Sequence, residues 1–157
     1  MTIKSEVDQT FFALVETGNI RYASWPVAGI AIADDAAWDE IVVAAAGPGA
    51  TVPAWLCGFS FGVATGLIVA EIGYEFRIGH GGAAGDGIAP TTEIVTNWAV
   101  NFSAVAAALG PFTIPTQVLP YPVRMPLGVS VKAMYTTLVG AAAITRFRVI
   151  LATAVGS

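Results

Sequence analysis

The chain alternates. Between residues 68 and 78, Ile68, Ala70, Ile72, Tyr74, Phe76 and Ile78 fall on one side of an extended backbone, with Val69, Glu71, Gly73, Glu75 and Arg77 on the other. Successive side chains of a strand point to opposite faces, so this period of two predicts a long half-buried strand with Glu75 and Arg77 on its wet side. The same pattern sets Ile94, Thr96, Trp98, Val100 and Phe102 against Asn97 and Asn101. Further on it sets Leu127, Val129, Val131, Ala133 and Tyr135 against Ser130 and Lys132. Over residues 143–155, Phe147, Val149, Leu151 and Val155 are expected toward a core, and Arg146 and Arg148 toward solvent. Residues 38–45 and 55–65 flank a loop from Gly47 to Pro53 and read as a hairpin. In its second arm Trp55, Cys57, Phe59, Phe61 and Val63 share one face, opposite Gly58, Ser60, Gly62 and Ala64. Weaker patterns predict strands near residues 10–15, 27–33 and 112–118.

Turn signals separate these runs: Gly18-Asn19, Asp34-Asp35, Gly47-Pro48-Gly49, Gly79 to Gly87, Gly110-Pro111, and Pro120 to Pro126. About eight strands with Gly- and Pro-rich connections predict an all-β antiparallel β-sandwich, with the jelly roll as its arrangement. Helix is expected only in short pieces such as Ala104 to Leu109, a segment that reads equally as an apolar loop. The 157 residues fit one domain. Residues 1–20, with Phe11, Phe12 and Leu14, either pack on that sandwich or reach as an arm onto a neighbour.

Composition narrows the classes. Hydrophobic residues make up 55% and charged residues 11%, with a mean hydropathy of +0.71, which excludes intrinsic disorder. No charged residue lies between Glu40 and Glu71, but Gly47-Pro48-Gly49 and Pro53 interrupt any spanning helix there. Transmembrane barrels also alternate, but the preferred reading is a chain in water. The start, Met1 to Glu6, lacks a basic segment followed by an apolar run, so no signal peptide is expected. Eleven acids against seven Lys and Arg, a net −4, argue against a nucleic-acid partner. A lone cysteine, Cys57, excludes a disulfide within the chain and a cysteine-based zinc site. The charge is uneven: residues 1–93 hold all eleven acids and three basic residues, whereas residues 94–157 hold Arg124, Lys132, Arg146 and Arg148 with no acid. Either the halves interleave and neutralise each other, or acidic and basic patches of neighbouring copies meet head to tail.

Some motifs resemble chemistry. Gly58-Phe59-Ser60-Phe61-Gly62 matches the G-x-S-x-G nucleophile elbow, but alternation runs straight through Ser60, where a sharp strand-to-helix turn is required. Its triad partners would come from Glu71, Glu75 and the single His80, an order and placement that do not fit. Gly79-His80-Gly81-Gly82-Ala83-Ala84 matches G-x-G-x-x-A, yet Gly85-Asp86-Gly87-Ile88-Ala89-Pro90 is a poor helix start for a dinucleotide site. A folded or flexible loop is the simpler reading, with His80 exposed in it and Asp86 serving a turn. Asn101-Phe102-Ser103 matches a glycosylation sequon by chance of composition. Trp25, Trp38, Trp55 and Trp98 read as packing aromatics, of which one or two could anchor another subunit. The residues point to no catalytic group, metal or cofactor.

The segment from Leu119 to Ala133, Leu-Pro-Tyr-Pro-Val-Arg-Met-Pro-Leu-Gly-Val-Ser-Val-Lys-Ala, resembles a signature of small bacteriophage virion proteins, in which P-x-P-V-R-I-P-x-G leads into a strand. Small residues from Leu138 to Ala143 and an apolar stretch from Thr145 to Val155 follow as they do in such proteins. Upstream, Tyr74 to Ile78 and the loop to Gly87 are similar to the strand and glycine loop that precede the signature. The likeness spans roughly residues 37–155, with Met125, Leu127 and Val129 departing from the commoner isoleucine, small residue and threonine. The resemblance implies a jelly-roll virion protein of a tailed phage, of the capsid decoration or cement type, without enzymatic activity. Its expected partners are the major capsid protein and further copies of itself, a trimer being favoured. The alternative is a tail or fibre module that binds a host-surface glycan, and a third class is a small hydrolase using Ser60.

Overall fold

The computed structural model describes residues 6–32, 34, 37–43, 47, 49–63, 66–67, 71–101, 108–109, 112–139 and 143–155. Eight longer strands build two four-stranded antiparallel sheets. Sheet A runs in the order β1 (Ile20–Ile30), β10 (Phe147–Ala154), β3 (Ala54–Val63), β8 (Phe112–Met125). Sheet B runs β2 (Asp39–Val42), β9 (Val131–Val139), β5 (Glu71–His80), β6 (Thr92–Asn101). Two-residue strands β4 (Gly66–Leu67) and β7 (Ala108–Leu109) pair with each other. The pairs β1–β10, β2–β9, β3–β8, β4–β7 and β5–β6 nest one inside the next, so the chain is a long hairpin rolled into a sandwich. That is the jelly roll.

The inner faces carry what alternation assigned to them. Tyr74, Phe76 and Ile78 of β5, Val131, Ala133 and Tyr135 of β9, and Phe147, Val149 and Leu151 of β10 are all buried in one cluster with Phe59, Phe61 and Val63 of β3. Phe76 lies at its centre, with ring centroids 4.6 Å from Phe61, 5.0 Å from Phe59 and 5.6 Å from Phe147. Such tilted pairs each add about 0.5–1.5 kcal/mol beyond area burial, so the ring cluster adds to the aliphatic burial that joins the two sheets.

Several expectations fail for physical reasons. The two arms around the Gly47–Pro53 loop are strands, but β2 belongs to sheet B and β3 to sheet A, so the segment crosses between sheets and is no hairpin. Alternation identifies a strand without naming its partner, and here both partners come from the far half of the chain. Residues 10–15 are helical, within α1 (Glu6–Glu16). The helix ends in a Schellman motif, in which Gly18 at φ 70° donates to Val15 and Asn19 donates to Leu14. Along β3 a bulge at Cys57 shifts the register, so Trp55 and Cys57 face outward while Leu56, Phe59, Phe61 and Val63 face the core. One extra residue flips every side chain before it. The Pro120–Pro126 turn is instead mostly strand: β8 continues to Met125 as an edge strand, where proline's missing N–H is tolerated. Finally, Val155 lies beyond β10 and is exposed, and Leu127 sits in an exposed turn before β9.

Strand predictions at 27–33 and 112–118 fall in or beside β1 and β8. Ile68, Ala70, Phe102, the segment 104–107 and Gly110-Pro111 lie outside the described residues. Residues 108–109, expected as helix or loop, are β7.

Candidate interaction surfaces

Ser60 is buried in mid-strand between core-facing Phe59 and Phe61 and opposite Arg148 of β10. His80 ends β5 in the other sheet. The two therefore belong to opposite layers, whereas a general base must come within about 3 Å of its nucleophile. Cys57 is buried too, and burial pushes its thiol up to about 11, which leaves it unreactive at neutral pH.

The glycine loop between β5 and β6 is a folded cap on sheet B. It begins after His80 and no helix follows, so the dinucleotide motif lacks its structural partner. Lys132, expected on the wet side of β9, is 0% exposed beneath this loop. Its Nζ donates to the carbonyls of Ala83 at 2.6 Å and Ile88 at 2.7 Å. Beside it, Oε1 of Glu40 accepts from the hydroxyl of Ser130 and, at 3.2 Å, from the amide of Gly85. Asp86 returns the tie by accepting from the amide of Glu40 at 2.8 Å. An ammonium thus organises carbonyls that would otherwise point into protein without donors. His80, expected to be exposed, is buried at the root of the loop; its carbonyl accepts from the amide and hydroxyl of Thr91, and its Nδ1 has no partner. Burial lowers its pKa below 6.5. No pattern in the sequence distinguishes Lys132 from a solvated lysine, because the covering loop is distant in the chain.

Among the described residues, no group of three His, Cys, Asp or Glu side chains could hold a metal ion. No described helix is long and apolar enough to cross a membrane. Of the tryptophans, Trp38 and Trp55 are buried and Trp25 packs on the core; the side chain of Trp98 lies outside the described residues.

Several large apolar side chains are presented outward. On the outer face of sheet A, α1 lies over Trp55, Cys57 and Ala152 through Phe11 and Leu14, leaving Phe12 and Val15 exposed. At the edge of the same sheet, β8 departs from β3 between Val118, opposite Gly58, and Val123, opposite Leu56. Leu119, Pro120, Tyr121 and Pro122 therefore stand against the single residue Cys57 as a wide bulge. Leu119 turns in, while Val118 is 79% and Tyr121 67% exposed. Two prolines fix the backbone around Tyr121, so the ring is displayed at little entropic cost. On sheet B, Leu138 is exposed near Asp34, whose carboxylate accepts from the amide of Thr137.

No protein-family model matches the chain, and no curated protein matches it either.

Proposed function

We propose that this chain is a non-enzymatic structural protein of a bacteriophage virion, a capsid decoration protein that reinforces the shell by bridging neighbouring capsomers. The observation that carries this reading is the division of its residues. Ser60, Cys57, His80 and Lys132 are buried in the sandwich or under its loop, whereas Phe12, Val15, Val118, Tyr121, Leu127 and Leu138 are displayed. Apolar side chains on a rigid scaffold suit attachment to another protein. The resemblance of Leu119 to Ala133 to phage virion proteins supplies the setting, and that segment includes the proline-stiffened bulge of β8.

The mechanism is mechanical. A shell repeats one docking surface many times, so contacts that are individually weak hold firmly when an oligomer engages several capsomers at once. The partners are the major capsid protein and further copies of this chain, with a trimer favoured. Particles stripped of the protein should lose shell integrity at a lower temperature and regain it when the protein is added back. An unchanged melting temperature would contradict reinforcement.

A further inference from the structure

The uneven charge along the sequence becomes, in the fold, a difference between the two sheets. The strands of sheet A contain Arg21, Arg124 and Arg148 and no acidic residue. Those of sheet B contain Asp39, Glu40, Glu71, Glu75 and Glu93 against Arg77 and Lys132. Lys132 is buried, so the surface of sheet B is more acidic than this count, and Arg77 is neutralised by Glu93 within it. Asp34 and Asp86, both exposed, add to it. The helix α1, which lies on the outer face of sheet A, contains the acids Glu6, Asp8 and Glu16, but β8 has no acid along its length. Each sheet also exposes apolar groups beside its charge: Val118 and Tyr121 precede Arg124 on β8, and Leu138 lies near Asp34, one strand from Glu75.

We infer that the β8 edge of sheet A docks onto the acidic surface of sheet B in a second copy of this chain, a head-to-tail contact in which Tyr121 and Arg124 meet the region of Leu138, Asp34 and Glu75. Apolar groups supply the area and opposite charges set the orientation. A symmetric pairing of β8 with itself would set one basic edge against another, with no acid on either strand to meet Arg124. A heterologous contact of this type closes into a ring or continues as a filament, so it can build the oligomer assumed above without depending on the shell.

Sedimentation velocity of the purified full chain tests this, using Arg124→Glu, Glu75→Lys and Tyr121→Ser, each checked for native circular dichroism and melting temperature. The wild type should self-associate at low salt and dissociate as salt shortens the screening length to about 3 Å. Each variant alone should weaken association at least about tenfold. A mixture of Arg124→Glu with Glu75→Lys should associate more strongly than either variant alone, because each reversed surface finds its complement on the other variant. A monomeric wild type at every concentration overturns the inference. So does Glu75→Lys associating like the wild type, or a mixture no better than its components. Any of these results leaves capsid attachment standing, since that is read on particles.

Discussion

Phe11 of α1 meets Trp55 of β3 edge to face, with ring centroids 5.5 Å apart and planes at 66°. The contact seats the helix on the outer face of sheet A, over a tryptophan that is wholly buried although its Nε1 has no partner. Replacing Phe11 by alanine should release α1 and leave the jelly roll folded. The expected cost is at most about 3 kcal/mol, the low end for losing a buried phenylalanine, because the site is peripheral. A red shift of tryptophan emission with near-unchanged far-ultraviolet dichroism would register it; a global loss of sheet signal would not fit.

Cys57 reports on the same event. A thiol at about 11 in place of the ordinary 9.0 has about a hundredfold less thiolate at neutral pH, and burial adds a steric block. Native protein should therefore resist a thiol reagent, and Phe11→Ala should react markedly faster. Equal rates in the two proteins would mean that α1 does not shield Cys57.

Lys132 anchors the glycine loop, so Lys132→Met should be costly although methionine is apolar and of similar length. The carbonyls of Ala83 and Ile88 would lose their donor, at about 1–3 kcal/mol for each buried group left unpaired. Hydrogen exchange should rise first in residues 81–91, with the aromatic core still protected. A variant as stable as the wild type would show that water replaces the ammonium without penalty.

Gly58→Ala should loosen the edge strand. A Cβ at this position collides with the backbone carbonyl of Gln117 on β8, and backbone cannot move aside as a flexible side chain can. Overpacking of this kind costs about 1–3 kcal/mol, so the melting temperature should drop and self-association with it. Ser60→Ala, two residues on, should leave serine-directed fluorophosphonate labelling at the same background. Labelling that depends on Ser60 would restore the hydrolase reading.

His80 gives the pH dependence. Its folded pKa is lowered by burial, so between that value and 6.5 the unfolded chain binds the proton and the folded chain does not. Its contribution is flat above 6.5, declines as pH falls through that window, and stays at its reduced level below it. Urea midpoints for wild type and His80→Gln, followed from pH about 8 to about 5, should converge as pH falls. Parallel profiles would mean that His80 titrates alike in both states.

Much of this fold was legible because period-two alternation is local. Tyr74, Phe76 and Ile78 declared their face from neighbours two residues away, as did Phe147, Val149 and Leu151. What escaped was non-local or hidden by a single residue. The partners of β3, β8 and β10, both lie far downstream in the chain, so no local pattern could separate a hairpin from a crossing. A bulge at Cys57 inverted the face of Trp55 without changing the alternation. In α1, the spacing of Phe11 and Leu14 with Gly18 behind them was the available sign of a capped helix, obscured by apolar residues at 12 and 15. The interaction surfaces were least legible. Exposure of Tyr121 depends on β8 being an edge, which only the completed strand order shows.

The central claim is that the chain reinforces a phage shell, and the most direct measurement is its copy number in purified particles, by quantitative mass spectrometry against the major capsid protein. The account predicts hundreds of copies per particle, in fixed proportion to the capsid subunits. A few copies, or a few dozen, would move the protein to the tail or fibres and favour glycan binding. Absence from particles would contradict the account altogether.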